Sequence, residues 1–217
     1  ITVDSSSTRN VLIWEKPVTQ GIDSFMIYRE VLGVYKHIGS VSYDSVSMYT
    51  DTNSNINPQV TSYRYKLSIL DTCGNESPLS NYHETIHLQV SYGQTNSLSW
   101  DDYEGFPYSF YIVYRKSQGM SGFAPIYSLS ASSNTWTDIA PPAGNNKYFV
   151  AVDKGGFCSP SLMRDFRSPI GQSISNIEED AGAVTSIDEN TFGVVSVYPN
   201  PFDRSLNVHF NGDPATE

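Results

Sequence analysis

Short stretches in which apolar and polar side chains alternate recur along the first 177 residues. The clearest is 61–71, where four apolar residues alternate with polar ones: Tyr63, Tyr65, Leu67 and Ile69 against Arg64, Lys66 and Ser68. Because successive side chains of a β-strand point to opposite faces, this segment has one apolar and one polar face. We expect a strand that lies on a core with its other face towards water.

Similar stretches follow one another about every 8–12 residues, separated by Gly, Pro, Asn, Asp and Ser, and this spacing is typical of a two-sheet β-sandwich. The first set of predicted strands is 1–4, 10–16, 23–31, 35–42, 47–51, 61–71 and 79–90. The second set is 84–92, 95–101, 108–116, 124–131, 134–139, 147–153 and one strand within 159–177. The predicted fold class is all-β.

The two sets are copies of one unit. Residues 14–30 (WEKPVTQGIDSFMIYRE) superpose without a gap on residues 100–116 (WDDYEGFPYSFYIVYRK), and SMYTD, ending at Asp51, echoes NTWTD, ending at Asp138. A repeat of this length is a whole small domain rather than one turn of a solenoid. We predict two modules, residues 1–83 and 84–177, with a short, stiff connection arranged end to end.

Composition narrows the function classes. The formal net charge of −10 disfavours binding to nucleic acid or to anionic membranes. No apolar run approaches the ~20 residues of a transmembrane helix, and residues 1–10 lack the pattern of a signal peptide. We therefore expect any export signal to lie upstream of Ile1 or to have been removed. Two cysteines cannot form a disulfide scaffold.

These features resemble the fibronectin type III family. The resemblance implies a core Trp on the second strand and a core Tyr on the third, which are Trp14 and Tyr28 in module 1 and Trp100 and Tyr114 in module 2. It also implies a tyrosine corner, whose hydroxyl bonds back to the preceding loop. Tyr63 matches that position, and we assign Tyr148 to it in module 2, although another alignment turns Phe149 and Ala151 inward.

The third strands are apolar on both faces. If Met26 and Tyr28 point inward, then Phe25 and Ile27 point outward, as do Tyr111 and Val113 in module 2. One interpretation is an exposed apolar ridge that binds a protein or stacks on sugar. The other is that side chains of neighbouring strands cover these positions.

Few residues suggest chemistry. His83 and His87 share a strand face, but a zinc site needs two further ligands. The loop carboxylates Asp101, Asp102 and Glu104 could act as an acid–base pair or hold calcium, yet such a loop tip is usually just solvated. We therefore predict no enzyme activity, no metal and no cofactor, with calcium as a minor alternative.

Cys73 and Cys158 fall in equivalent loops before the last strand of each module. In an end-to-end tandem such loops are one domain length apart, ~30 Å for strands of 8–10 residues. A disulfide requires Cα atoms within ~7 Å, so we expect the two cysteines not to pair with each other.

The C-terminal part differs in character. Residues 178–193 are acidic and poor in aromatic residues, which predicts a flexible linker. Residues 194–217 contain Tyr198, Pro199, Asn200 and Pro201, and this segment resembles the start of the C-terminal sorting domain of the Bacteroidetes type IX secretion system. That resemblance implies export to the cell surface or medium and an interaction with the type IX machinery. Because the family's domain is longer, we expect the segment to be incomplete.

Together these observations predict a non-catalytic spacer or adhesion segment of a secreted or cell-surface bacterial protein. Two alternatives remain open: a module that binds glycan or protein, and an accessory region of an extracellular hydrolase whose catalytic domain lies upstream.

Overall fold

The computed structural model describes residues 1–158 and 170–180, and the backbone of 195–198 and 207–210. The chain divides into two units, Ile1–Ala181 and Gly182–Glu217. The described residues form strands, turns and loops without an α-helix, so the predicted all-β class is confirmed. Within this part of the chain no segment has the helical length and apolar character to cross a bilayer.

Module 1 is a sandwich of two antiparallel sheets. Its strands are β1 (Thr2–Val3), β2 (Asn10–Ile13), β3 (Ile22–Val31), β4 (Val34–Ser42), β5 (Met48–Asp51), β6 (Arg64–Asp71) and β7 (His83–Glu84). One sheet has the order β1-β2-β5 and the other β4-β3-β6-β7. The boundary predicted after residue 83 falls inside β7, so module 1 extends further.

Module 2 repeats this topology. Its strands are β8 (Leu88–Ser91), β9 (Asn96–Trp100), β10 (Phe110–Ser117), β11 (Ala124–Ser130), β12 (Thr135–Asp138), β13 (Asn146–Cys158), β14 (Ile170–Ile174) and β15 (Glu178–Asp180). The first sheet is β12-β9-β8; the second is β11-β10-β13-β14, with β15 also on β13. The chain is thus a tandem of two fibronectin type III-like sandwiches.

The third strands correct the predicted core. In β3, Phe25 and Ile27 are buried, whereas Tyr28 is half-buried on the outer face. In β10, Tyr111 and Val113 are fully buried and Tyr114 lies outside against Phe149. Tyr28 and Tyr114 are therefore not core residues, and the four positions considered for an exposed ridge are buried. The arginine after each tyrosine, Arg29 and Arg115, lies on the same face as these buried residues and pairs there with Asp51 and Asp138, which favours the inward orientation of the odd positions.

Side chains of neighbouring strands cover the outer face of module 1. The Tyr28 ring meets His37 edge-on, and its hydroxyl donates to Glu76. Elsewhere on this face two cations lie over tyrosine rings: Arg64 over Tyr82 at 5.0 Å and Lys66 over Tyr35 at 4.6 Å. This face is an interlocked polar and aromatic layer rather than an apolar surface.

The final strands of the two modules share a sequence motif. In module 2 this motif includes the first residues of the predicted linker. SNYHET (80–85) corresponds to SNIEED (175–180). In each copy the serine hydroxyl accepts a backbone N–H of the sixth strand, from Leu67 to Ser80 and from Val150 to Ser175. The glutamates pair with a cation in the same place, Arg64–Glu84 and Lys147–Glu179. Residues 178–180 are thus a strand of module 2, not the start of a linker.

The second unit contains an antiparallel pair of strands, β16 (Val195–Tyr198) and β17 (Asn207–Phe210). Tyr198 pairs with Asn207. The rest of the predicted sorting motif, Pro199, Asn200 and Pro201, lies outside the described residues.

Candidate functional site: the buried polar groups and the junction

Module 1 buries four polar side chains in one hydrogen-bonded group. Asn10 donates through Nδ2 to the hydroxyl of Tyr65 (3.0 Å), which donates to Asp51 Oδ2 (2.9 Å). Arg29 Nη1 donates to the same carboxylate oxygen at 2.5 Å. Burial raises the pKa of Tyr65 well above its usual range, so the phenol remains a donor. We call this set the polar quartet.

Module 2 contains the same quartet. Asn96 donates to Tyr148 (2.9 Å), Tyr148 to Asp138 (3.0 Å), and Arg115 to Asp138 (2.5 Å). Burial also raises the pKa of Tyr148, to about 12. A second carboxylate, Asp180, accepts from Asn96 at 2.6 Å, which extends the group to β15.

The quartets define the correspondence between modules. Arg29 lies opposite Tyr65 across β3 and β6, as Arg115 lies opposite Tyr148 across β10 and β13. Tyr148 is therefore the counterpart of Tyr65, so it is a core residue and its assignment to the tyrosine corner is wrong. Sequence reasoning aligned Arg29 with Arg115 and Asp51 with Asp138, and that repetition was a usable signal for the buried pairs.

The corner position is occupied differently in each module. Tyr63 is half-buried, and its hydroxyl accepts from Asn57 N in the preceding loop at 2.8 Å. Its counterpart is Asn146, whose amide donates to Pro142 O (2.9 Å) and to Gly144 O (3.2 Å). An asparagine thus makes the loop contacts that a tyrosine makes in module 1.

The tryptophans of the repeated segment, Trp14 and Trp100, differ in environment. Trp100 is 4 % exposed and meets Tyr111 edge-on at a ring distance of 5.4 Å. Trp14 is half-buried, and its ring lies 5.4 Å from that of Phe25. Neither indole lies in solvent. Trp14, however, lies at the edge of its sandwich, next to module 2.

The modules contact each other along strands, and the predicted end-to-end arrangement is wrong. Thr2 Oγ1 accepts from Ile174 N (3.0 Å), and Ser7 Oγ accepts from Ile177 N (2.7 Å). The first strand of module 1 therefore lies beside the last strands of module 2. An ion pair between Glu15 and Lys154 (3.2 Å) adds a further link.

Asn176 is the centre of this junction. It is fully buried, and its side chain accepts from Leu88 N (2.7 Å) and donates to Leu88 O (3.0 Å), which holds the start of β8. Its amide also lies 3.0 Å from Gln59 Oε1 in module 1 and 2.7 Å from Glu178 Oε1. One side chain thus connects both modules.

A cleft of about 280 Å³ lies at the junction, lined by residues that include Trp14, His83, Phe106, Cys158 and Gln172. Burial raises the pKa of the Cys158 thiol, which opposes thiolate chemistry. Cys73 is exposed, and both cysteines are free; Cys158 ends β13 instead of lying in a loop.

The histidines and the loop carboxylates form one close pair but do not gather into a single site. His83 is exposed, whereas His87 is buried with Nδ1 3.6 Å from Asp101 Oδ2. Asp101, Asp102 and Glu104 are exposed in the loop between β9 and β10. Across residues 1–158 and 170–180, no three His, Cys, Asp or Glu side chains converge as metal ligands.

Comparisons with known proteins give structural neighbours only. No protein-family profile matches the chain, and no curated protein matches it. The chicken CNTN1 FN1–FN3 domains align with 81 % of this chain, which covers 62 % of theirs, at 12 % identity and a TM-score of 0.33. A two-domain fibronectin type III segment of chicken tenascin aligns with 80 % of this chain, which covers 94 % of that segment, at 14 % identity and a TM-score of 0.29. The chicken interferon gamma receptor alpha chain aligns with 66 % of this chain, which covers 82 % of the receptor chain, at 14 % identity and a TM-score of 0.26.

The class of protein is defined by this chain's own strand order: a tandem of fibronectin type III-like β-sandwiches. The low TM-scores add nothing about function.

Proposed function

We propose that this chain is a non-catalytic spacer or adhesion segment of a secreted or cell-surface bacterial protein, with the two modules acting as one rigid body. The observation that carries the proposal is the junction, where Asn176 connects Leu88 of module 2 with Gln59 of module 1. Because Asn176 is buried and bonds to Leu88 twice and to Gln59 once, a rotation of one module against the other would leave its amide group without these partners.

The contact between the first strand of module 1 and the last strands of module 2 favours the adhesion role over the spacer role. Because Thr2 contacts Ile174, the start of module 1 and the end of module 2 lie close together. Such a unit adds little distance between the segments before and after it. It presents the two sandwiches as one continuous surface.

The rigid-body proposal can be tested by ¹⁵N NMR relaxation on the 217-residue chain. Amides of β3 and β10, one strand from each module, should report the same overall rotational diffusion. Distinct correlation times for the two modules would contradict it.

We further propose that residues 194–217 begin a type IX sorting domain and bind the export machinery of a Bacteroidetes host. The support is the Tyr198-Pro199-Asn200-Pro201 segment after an acidic stretch. A reporter that carries a complete sorting domain beginning with this segment should reach the cell surface or medium. Retention of the reporter in the periplasm would count against this role.

A further inference from the structure

The modules differ at one edge of the sandwich, where β4 and β5 of module 1 correspond to β11 and β12 of module 2. In module 1 a single ring closes the gap between the sheets. Tyr49 lies over Gly39, where an added Cβ would come within 2.7 Å of the ring, and the Tyr49 hydroxyl donates to Ile38 O (2.9 Å). Glycine is needed here because of this close approach.

In module 2 two rings occupy the same edge. Tyr127 lies opposite Val113 as Gly39 lies opposite Ile27, and Trp136 takes the position of Tyr49. The Tyr127 and Trp136 rings stack at 5.2 Å with an interplanar angle of 19°. Tyr127 is 50 % exposed. Because module 1 closes this edge with one ring, the fold does not require the second.

The segment of chain that carries the stacked pair is uncharged. Residues 124–137 (APIYSLSASSNTWT) contain no acidic or basic side chain, although the whole chain carries a net charge of −10. The nearby hydroxyl side chains Ser128, Ser130, Thr135 and Thr137 alternate with the rings along β11 and β12, so they point to the outer faces of the two sheets rather than towards the rings. A partner that relied on ion pairs would find none here.

We infer that the Tyr127–Trp136 pair is a binding site for neutral carbohydrate. The apolar C–H face of a pyranose ring packs on an exposed aromatic face, while the sugar hydroxyls at the ring edge stay in water. A neutral sugar also meets no electrostatic repulsion from the acidic chain. This inference rests on the adhesion role proposed above and specifies its ligand class.

The test uses the full chain and neutral cello-, xylo- and manno-oligosaccharides, with oligogalacturonate as the acidic comparison. Binding is measured by titration calorimetry and by tryptophan fluorescence. We expect saturable binding of at least one neutral series. The double variant Tyr127→Gly/Trp136→Tyr reproduces the edge of module 1, so it should fold while its Kd rises at least about tenfold.

Tyr92→Ala is the matched control, because Tyr92 is a 56 % exposed tyrosine elsewhere in module 2. It should bind as the wild type does. The inference is overturned by binding to oligogalacturonate alone, by no binding to any neutral series, or by unchanged affinity in the folded double variant. Any of these outcomes leaves the relaxation test of the rigid body unaffected.

Discussion

At the scale of single residues, the Arg–Asp ion pair of each module should make the stability of that module strongly sensitive to the loss of one charge. The side chains of Arg29 and Asp51 are 7 % and 1 % exposed, whereas those of Arg115 and Asp138 are 20 % and 8 % exposed. Removing one partner of a buried pair leaves an uncompensated charge, and this cost depends on how far water can reach that charge.

Asp51→Ala should therefore lower the free energy of unfolding of module 1 by ~3–5 kcal/mol. Asp138→Ala should cost module 2 less, because water reaches Arg115 more readily. Urea denaturation measures both changes. The double variant Arg29→Met/Asp51→Leu should recover most of the loss; equal costs for the two single variants would contradict the argument.

Trp100→Ala should cost module 2 ~3–5 kcal/mol, because it opens a cavity among packed side chains. Trp14→Ala should cost module 1 less, since Trp14 is only half-buried. Chemical denaturation followed by far-UV circular dichroism compares them. A loss below ~1 kcal/mol at Trp100 would show that this indole does not support the core.

At the scale of elements, β15 is a short strand held by its side chains. Asp180 is 6 % exposed and accepts hydrogen bonds from Asn146 N and from the amides of Asn96 and Asn146. The neighbouring Glu179 makes only exposed contacts, with Lys147 and Asn145.

Asp180→Ala should destabilise module 2 by ~1–3 kcal/mol, because buried donors lose their acceptor. Amide exchange at Asn146 should accelerate in the same variant. Glu179→Ala is the control and should change stability by no more than ~1 kcal/mol. If the Asn146 amide exchanges at the wild-type rate in Asp180→Ala, β15 does not depend on this carboxylate.

Alternation and turn residues predicted most of the strands of the two modules, but not β15. They did not determine which face of β3 and β10 points inward, because both faces are rich in apolar side chains. That choice depends on Arg29 and Arg115, whose acceptors arrive from the distant strands β5 and β12. Similarly, the charge of Glu178, Glu179 and Asp180 suggested a linker, while the repeat of SNYHET as SNIEED indicated a strand.

At the scale of the whole molecule, the junction depends on contacts between segments far apart in sequence, which no local pattern reveals. Asn176 and Asn81 occupy equivalent positions in the repeated motif, yet Asn176 is fully buried and Asn81 is exposed. The difference arises because Asn176 lies between Leu88 of module 2 and Gln59 of module 1 and bonds to both.

Asn176→Ala should uncouple the modules, because Leu88 and Gln59 lose their shared partner. We expect the relaxation data of the two modules to diverge and thermal unfolding to broaden or separate into two transitions. Asn81→Ala should leave both measurements unchanged. A single rotational diffusion rate in Asn176→Ala would show that other contacts suffice to fix the orientation.

The paired quartets have a consequence for biosynthesis. All four groups of module 1 lie within the first 65 residues, whereas Asp138 and Tyr148 of module 2 leave the ribosome much later. Identical groups cannot tell one copy from the other, so strands of the two modules could exchange if both folded at once. Translation from the N-terminus separates these events in time, so we expect Arg29 to bind Asp51 before Asp138 is synthesised.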